Sequence, residues 1–496
     1  MKLSSLSRRW SLLLAAVAGL TYPLAFAPYG LWGLMPFSVA ALLLSLTDRT
    51  PREAALNGFA FGFTAYLTAI YWITISVHTF GGAPFWLAAF LMLSLVAFLS
   101  GYYALLCYLV NRFAAREGAV RWWITIPGCW MLLEWLRGWL LSGFGWLAPG
   151  YAHVDSVLIG YLPVGGILLA GWVVAITAGT LASLVLKPTM RAAVQVIMAG
   201  VLWAAGLGLV HVKWTEEDGS SVTASLVQGA VPQDQKWLPE QLQPTIDLYV
   251  DLTVDHLDSD LVVWPEAAIP RYKHQLAPLW TELERIAKDT STDFLVGTVE
   301  YDLDKDERYN TLSAFGQSSA AYRKRHLVPF GEYFPVPDFI KNQMRLMNLP
   351  YQNFSPGERG QPALAVAGQT ISGSICYEDV FGHEMLGTVS ESSLLVNVSN
   401  DAWFGGSLAP HQHLQIARTR ASEVGRYMLR STNNGISAVI DGYGRVVEQS
   451  PQFEPYVLTA TVPGMDGTTP YMRWGDWPMV ILSLLAVATG LRPRDG

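Results

Sequence analysis

The sequence predicts a two-part protein: about eight apolar helices crossing a membrane, and a layered α/β domain outside it. Three observations predict this. Apolar stretches lie at 10–28, 30–47, 55–77, 85–110, 122–141, 157–186, 193–212 and 475–491, each near the ~20 residues that a spanning helix needs. Lys and Arg collect on one side of these stretches. The segment 213–470 is polar and charged, and short β-type runs alternate there with helix-like ones.

The elements follow in chain order. Arg8, Arg9, an apolar run and Ala25-Phe26-Ala27 imitate a cleaved signal. The next apolar stretch follows almost at once, so the first is read as a retained helix. With a cytoplasmic N-terminus, the inner loops hold Lys2, Arg8, Arg9, Arg49, Arg52, Arg112, Arg116, Arg121, Lys187, Arg191, Arg492 and Arg494. The short outer loops hold almost none, and Arg137 sits near an outer end. This is the positive-inside pattern, with seven helices, a large outer segment and one return helix. The expected divisions are 1–212, 213–470 and 471–496.

Composition agrees. The chain has 496 residues, 51% hydrophobic and only 15% charged, where a soluble domain carries about 25% charged residues. Its 19 Trp and 21 Tyr suit large membrane–water interfaces. A net charge of −7 excludes a nucleic-acid partner, which needs a basic face. Cys107, Cys129 and Cys376 make neither a metal spacing nor a disulfide framework.

Within 213–470, the runs 221–231, 260–266, 293–301, 369–378, 393–401 and 456–462 read as strands. The stretches 245–257, 280–290, 380–390 and 411–427 read as helices, and 436–448 reads as a hairpin. Strand–helix alternation on this scale gives a layered α/β domain. Near-continuous Val, Leu and Ile runs point to strands covered on both faces.

Reactive groups stand where α/β sheets gather function, at strand ends. Glu266 ends "LVVWPE" and Cys376 ends "ISGSIC". Between them, "YRKRHLVPFGEY" presents Lys324 in a basic cluster and Glu332 after a Pro-Phe-Gly turn. Singly, each has a bland reading: a packed thiol, a capping carboxylate, a solvated basic face. Cys376 also precedes Glu378 and Asp379, neighbours that disfavour a thiolate. Together the set supplies what thiol catalysis needs: a nucleophile, a carboxylate base, and a cation for the oxyanion. His411 and His413 have no third ligand at a suitable spacing, so no metal is expected. Glu134 and Arg137, at i, i+3, fit either a functional pair inside the membrane or an interfacial ion pair.

"WPEAAIP", "YRKRHLVPFGEYFP" and "SGSICYEDVFG" resemble the Glu, Lys and Cys motifs of the carbon–nitrogen hydrolase (nitrilase) superfamily. "LVQGAVPQDQKW", "NVSNDAWFGGSLAPHQH" and "LRSTNNGISAVIDGYG" extend the likeness. "PLAFAPYG" and "LLEWLRGWLLSGFGW" carry it into the apolar part. There the whole chain is similar to the apolipoprotein N-acyltransferase family, a membrane-embedded branch of that superfamily.

The resemblance implies a nitrilase-like α-β-β-α sandwich facing the periplasm from the bacterial inner membrane. It implies Cys376 as the nucleophile that accepts an acyl chain as a thioester, Glu266 as general base and Lys324 as electrostatic partner. Glu332, Tyr377 and Glu378 match supporting positions, and Trp237 matches an aromatic at the site's mouth. The implied donor is a phospholipid of the phosphatidylethanolamine type, and the acceptor a diacylglyceryl apolipoprotein. No cofactor is implied, and a monomer is expected. The rival readings are a tethered amidase for small amides, which one anchor would serve, and a silent lipoprotein scaffold, which has no use for the three catalytic groups together.

Overall fold

The computed structural model describes residues 6–114, 118–334 and 353–491. Lys2, Arg116, Arg492 and Arg494 lie outside them, as does Pro335 at the end of the basic motif. The described chain forms two compact units.

The first unit takes the chain up to Lys213, Gly406–Gln415 and the residues from Arg473 on. Each expected apolar stretch contains a helix: Arg8–Thr21, Leu34–Ser45, Pro51–Ala69, Phe85–Phe113, Ile126–Arg137, Leu162–Leu186, Met190–Val210 and Trp477–Gly490. Among the described residues three are long and apolar enough to cross a membrane: Phe85–Phe113, Val157–Leu186 (whose first turns are 3₁₀) and Ala192–Val210. Others are shorter than the apolar run around them because local geometry breaks the α ladder. Tyr22–Ala25, with Pro23, tightens into a 3₁₀ turn, and Arg121–Thr125 widens into a π turn before Pro127.

The helix Pro51–Ala69 shows how sequence sets a boundary. Thr50 accepts the Glu53 N–H at 3.3 Å, Glu53 accepts the Thr50 N–H at 3.0 Å, and Pro51 occupies the first turn, a capping box. Gly58 and Gly62 then let this helix approach Phe85–Phe113. A Cβ on Gly58 would lie 2.3 Å from the Tyr103 carbonyl oxygen, and one on Gly62 2.9 Å from Ser100 Cα. Small residues four apart allow this close backbone approach.

The second unit, Trp214–Gly405 with Ile416–Met472, contains twelve described strands in two six-stranded sheets. The first sheet comprises β1 (Thr215–Gln228), β2 (Leu261–Trp264), β3 (Asp293–Asp302), β4 (Glu307–Phe315) and β5 (Ala321–Arg323), with the last strand beside β1. The second comprises β6 (Leu364–Val366), β7 (Gln369–Ile375), β8 (Leu394–Ser399), β9 (Met428–Thr432), β10 (Ala438–Ile440) and β11 (Val446–Gln449). The last strand is β12 (Tyr456–Gly467). The central trios β1-β2-β3 and β7-β8-β9 are parallel, and the flanking pairs are antiparallel.

Alternation along each strand explains the layers. On β2, Leu261 and Val263 point between the sheets, where they join Ile371, Ile375, Val396, Val398 and Leu429 of the second sheet. Val262 and Trp264 point the other way, onto Tyr249, Trp280 and Leu283 of the helices Leu242–Val254 and Ala277–Thr290. On β7, Ile371 and Ile375 face the shared core, whereas the Ser372 hydroxyl meets Thr388 of the helix Gly382–Val389 at 2.6 Å. The result is an α-β-β-α sandwich. Four strands, the nine-residue β4 and the short β5, β6 and β9, fall outside the runs read from sequence.

Gly297 on β3 crosses the chain just past β2 at close range. A Cβ there would lie 2.2 Å from the Pro265 carbonyl oxygen and 2.6 Å from Glu266 Cα, both backbone atoms. Gly297→Ala is therefore expected to cost about 1–3 kcal/mol by overpacking and to displace Glu266. Thermal unfolding in detergent checks it, and an unaltered Tm would refute the close approach.

Candidate active site

The site lies past the C-terminal ends of parallel strands from both sheets. Pro265 ends β2 and turns the chain, leaving Glu266 only 7% exposed. Its Oε1 accepts Asn310 Nδ2 at 2.7 Å and faces Lys324 Nζ at 3.5 Å, and its Oε2 accepts the Asn400 N–H at 2.9 Å. Its main-chain oxygen accepts Lys236 Nζ at 3.2 Å.

Lys324 follows edge strand β5 and is 1% exposed. Its backbone N–H donates to Asn310, and its carbonyl accepts Gly357 N–H, each at 2.8 Å. Its Nζ donates to Glu332 Oε1 at 2.8 Å. Asn310 Nδ2 also donates to that Oε1 at 3.2 Å, while Glu332 Oε2 accepts the Val328 N–H at 2.8 Å. Burial pushes the Lys324 ammonium pKa down. Glu332, Glu266 and the Cys376 thiol more than offset this and raise it, so Lys324 stays charged.

Cys376 follows β7 and opens the 3₁₀ turn Cys376–Val380 with φ +53°, a left-handed conformation uncommon outside glycine. It is half-buried and in the thiol form. Burial and the Glu266 carboxylate push its pKa well above the usual thiol value. Lys324 and a hydrogen bond from Ser399 pull the other way. Glu266, Lys324 and Cys376 thus share one electrostatic environment, with Glu332 anchoring the lysine.

The two carboxylates after Cys376 are turned away from it, though not as an extended strand would turn them. Residues 376–380 form a tight turn, and each carboxylate is fixed by its own partners. Glu378 Oε1 accepts Tyr322 OH at 2.9 Å and the Arg325 and His326 N–H groups at 2.7 and 3.1 Å. Its Oε2 accepts the Ile375 N–H at 2.8 Å. One buried carboxylate therefore ties the lysine segment to the cysteine segment. Burial raises its pKa against those N–H donors. Asp379 Oδ2 accepts Arg430 Nη1 at 3.1 Å. Arg430 also reaches Asn397 Oδ1 at 2.6 Å and Asp401 Oδ2 at 3.2 Å.

The other predicted residues are placed as follows. Tyr377 is half-buried and packs edge-on to Phe381, ring centroids 5.0 Å apart. Trp237 is 46% exposed and lines a cleft of about 320 Å³ with Pro270, Arg271, Tyr272, Gln275, Val299, Arg308, Asn353 and Phe354. In the first unit, Glu134 and Arg137 form a buried ion pair. Glu134 accepts Trp130 Nε1 at 3.0 Å, and Arg137 holds the Trp146 carbonyl at 2.7 Å. His413 is buried against Trp146, ring centroids 5.8 Å apart.

Sequence reasoning missed Asn310, Asn400, Arg430 and Lys236. Lys236 carried a signal, lying beside Trp237 in a quoted motif. Asn310 and Arg430 sit in strands that were not read as strands.

Arg430 is completely buried and is the shared cation of Asp379 and Asp401. Arg430→Leu leaves both carboxylates buried without it. The expected loss of stability is about 3–5 kcal/mol, read by thermal unfolding; an unchanged Tm would refute the assignment.

Comparison with known proteins bears on the whole chain. Residues 18–180 match the apolipoprotein N-acyltransferase N-terminal domain, and residues 223–470 match the carbon-nitrogen hydrolase domain. The apolipoprotein N-acyltransferase of Methylococcus capsulatus is 41% identical over 471 residues, 95% of this chain and 94% of the relative. That of Vibrio parahaemolyticus is 38% identical over 97% of this chain and 98% of its own. That of Azotobacter vinelandii is 39% identical over 97% and 95%. A solved carbon-nitrogen hydrolase from Helicobacter pylori is 15% identical, covers 49% of this chain and 89% of its own, and has a TM-score of 0.38. With such identity over nearly its full length, the chain is an acyltransferase and belongs to the apolipoprotein N-acyltransferase family.

Proposed function

We propose that the chain moves a fatty acyl group from a phospholipid to the N-terminal amine of a diacylglyceryl-cysteine apolipoprotein, in two steps through a thioester on Cys376. The observation that supports it most is the grouping of Cys376 with a buried lysine and two carboxylates at the strand ends.

In the first step the Cys376 sulfur attacks an ester carbonyl of the donor, phosphatidylethanolamine by preference. Glu266 takes the thiol proton as the S–C bond forms. The C–O bond then breaks and the lysophospholipid leaves with that proton. In the second step the acceptor's amine attacks the thioester. A C–N bond forms, the C–S bond breaks, and the amine proton passes through Glu266 to the sulfur.

The raised thiol pKa fits this order. The resting pair is a thiol beside a carboxylate, and charge develops only during attack. Lys324 and the Tyr377 N–H, at the start of the 3₁₀ turn, face the oxyanion. Glu332 orients Lys324, Glu378 fixes the turn, and Trp237 contacts substrate. A thioester keeps enough reactivity to make an amide, provided water is excluded.

Both substrates are amphiphiles, so the site belongs at a membrane surface. We assign all eight helices of the first unit to membrane spans of the bacterial inner membrane, with Arg8–Thr21 extended by a 3₁₀ turn and Ile126–Arg137 by a π turn. The charge asymmetry of the loops then puts 213–470 in the periplasm, between membrane parts 1–212 and 471–496.

Two measurements test this. Incubation with phosphatidylethanolamine is expected to add a fatty-acyl mass that hydroxylamine removes and that folded Cys376→Ser lacks. The same increment on the serine variant would remove Cys376 from the mechanism. A reporter fused after residue 212 is expected to read periplasmic and one after residue 191 cytoplasmic; the reverse would put the site on the wrong face.

A further inference from the structure

The cleft beside Trp237 has a chemistry that the reaction scheme leaves unused. Two guanidinium-bearing residues, Arg271 and Arg308, stand in its wall, and among the described residues no acidic one lines it. Among the described residues neither guanidinium has a carboxylate partner. Of the acids in the neighbouring hairpin, Glu300 pairs with Lys273 at 3.6 Å and Arg323 at 3.0 Å, Glu307 accepts from Tyr309, Asp306 accepts from Tyr301, and Asp302 accepts the Asp304 and Lys305 N–H groups. Arg308 is also oriented, its guanidinium carbon lying 5.9 Å from the ring centre of Tyr272 and 6.0 Å from that of Tyr301. An unpaired, oriented arginine on a concave wall suits a phosphate, which a planar guanidinium meets with two parallel N–H donors.

Four segments join this cleft to the catalytic groups. Arg308 and Asn310 alternate along one face of β4, and Asn310 bonds both Glu266 and Glu332. Trp237 follows Lys236, which bonds the Glu266 carbonyl. Arg271 is five residues past Glu266. The Phe354 N–H donates to the Glu332 carbonyl at 2.9 Å. A group bound in the cleft is therefore a near neighbour of the thiol's base. At about 320 Å³ the cleft has room for a polar headgroup, at the small end of ligand pockets.

We propose that the Trp237–Arg271–Arg308 cleft binds the phosphodiester headgroup of the acyl donor. The arginines hold the phosphate, and the exposed Trp237 ring offers its face to the headgroup ammonium. Holding the phosphate presents the glycerol ester carbonyl, a few bonds away, to Cys376. This rests on the phospholipid-donor reading above.

The test uses the full-length protein in mixed micelles, as Arg271→Gln, Arg308→Gln and the double variant, with Arg308→Lys as the charge-keeping control. Half-saturation of acyl-enzyme formation by phosphatidylethanolamine is expected to rise about tenfold to a hundredfold in the double variant, with partial recovery in Arg308→Lys. Aminolysis of the preformed acyl-enzyme by a diacylglyceryl peptide is expected to keep the parent rate. Glycerophosphoethanolamine is expected to compete with donor in the parent and to bind it by calorimetric titration, but not the double variant; inorganic phosphate at equal concentration is expected not to compete.

An unchanged half-saturation in folded double variant would overturn the proposal. So would a defect confined to the aminolysis step, or equal competition by inorganic phosphate. If the parent protein forms no acyl-enzyme from phospholipid, the donor reading fails instead, and the calorimetric comparison alone decides whether the cleft takes the headgroup.

Discussion

The buried ammonium of Lys324 is the charge on which the rest of the site depends. At 1% exposure it loses nearly all its water, a penalty of several kcal/mol that only close, well-aligned partners offset. Glu332 at 2.8 Å and Glu266 at 3.5 Å provide that, and Asn310 bridges both carboxylates so that neither is free to swing away. Two of these groups, Glu266 and Lys324, then set the thiol. Burial and Glu266 make a Cys376 thiolate costly, and Lys324 lowers the cost. Without the lysine, the negative charge that develops during attack would have no cation beside it. With it, a proton moving from sulfur to Glu266 leaves the local charge nearly balanced. The ion triad is thus both a structural clasp and the electrostatic background of the chemistry.

The puzzle of a thiol followed by two carboxylates resolves in the same terms. A charge disturbs a thiol only if it faces it without a closer counter-charge. Asp379 is held by Arg430, which also holds Asp401, although the Asp401 carboxylate still adds to the rise in the thiol's pKa. Glu378 is spent on four donors, two of them backbone N–H groups of the segment that carries Lys324. Its position next to the nucleophile is therefore geometric. It locks the end of β7 to the turn after β5 and fixes the distance between sulfur and ammonium. The left-handed backbone at Cys376 belongs to this arrangement. A strained residue persists where its surroundings over-determine it, and the Glu378 contacts and the Ser399 hydrogen bond do so here.

Much of this was legible in the sequence, and what was not has a physical reason. β2 and β7 stand out because Val262, Val263, Ile371 and Ile375 are buried on two faces, so the apolar run is nearly continuous and its end, where Glu266 and Cys376 stand, is sharp. β4 and β9 do not stand out, because they carry the residues that serve the site. Asn310 interrupts the first and Arg430 the second, polar side chains that only a complete set of buried partners makes tolerable. A reader of periodicity passes over such strands for the very reason that makes them functional. The turn at Cys376 was read as extended because no glycine or proline marks it. In the first unit apolar length over-counts helix length, since 3₁₀ and π turns keep the composition of a span without its α ladder.

Lys236 extends the argument from the catalytic groups to their substrate face. Burial lowers its pKa to about 8, with Glu266 opposing the fall. The ammonium therefore remains mostly charged near neutral pH, although among the described residues its hydrogen-bond acceptor is a main-chain carbonyl. That acceptor belongs to Glu266, and the next residue is Trp237. The base and the aromatic wall of the cleft are thus tied through one buried cation. Glu266 is held from three directions: by Lys236 on its carbonyl, by the Asn400 N–H on its carboxylate, and by the missing Cβ of Gly297 that admits the turn. A general base that exchanges protons with two different partners, a thiol and then an amine, must keep its place while both come and go. The contacts that hold its carbonyl and its carboxylate, beside a cleft wall left partly open, satisfy that requirement.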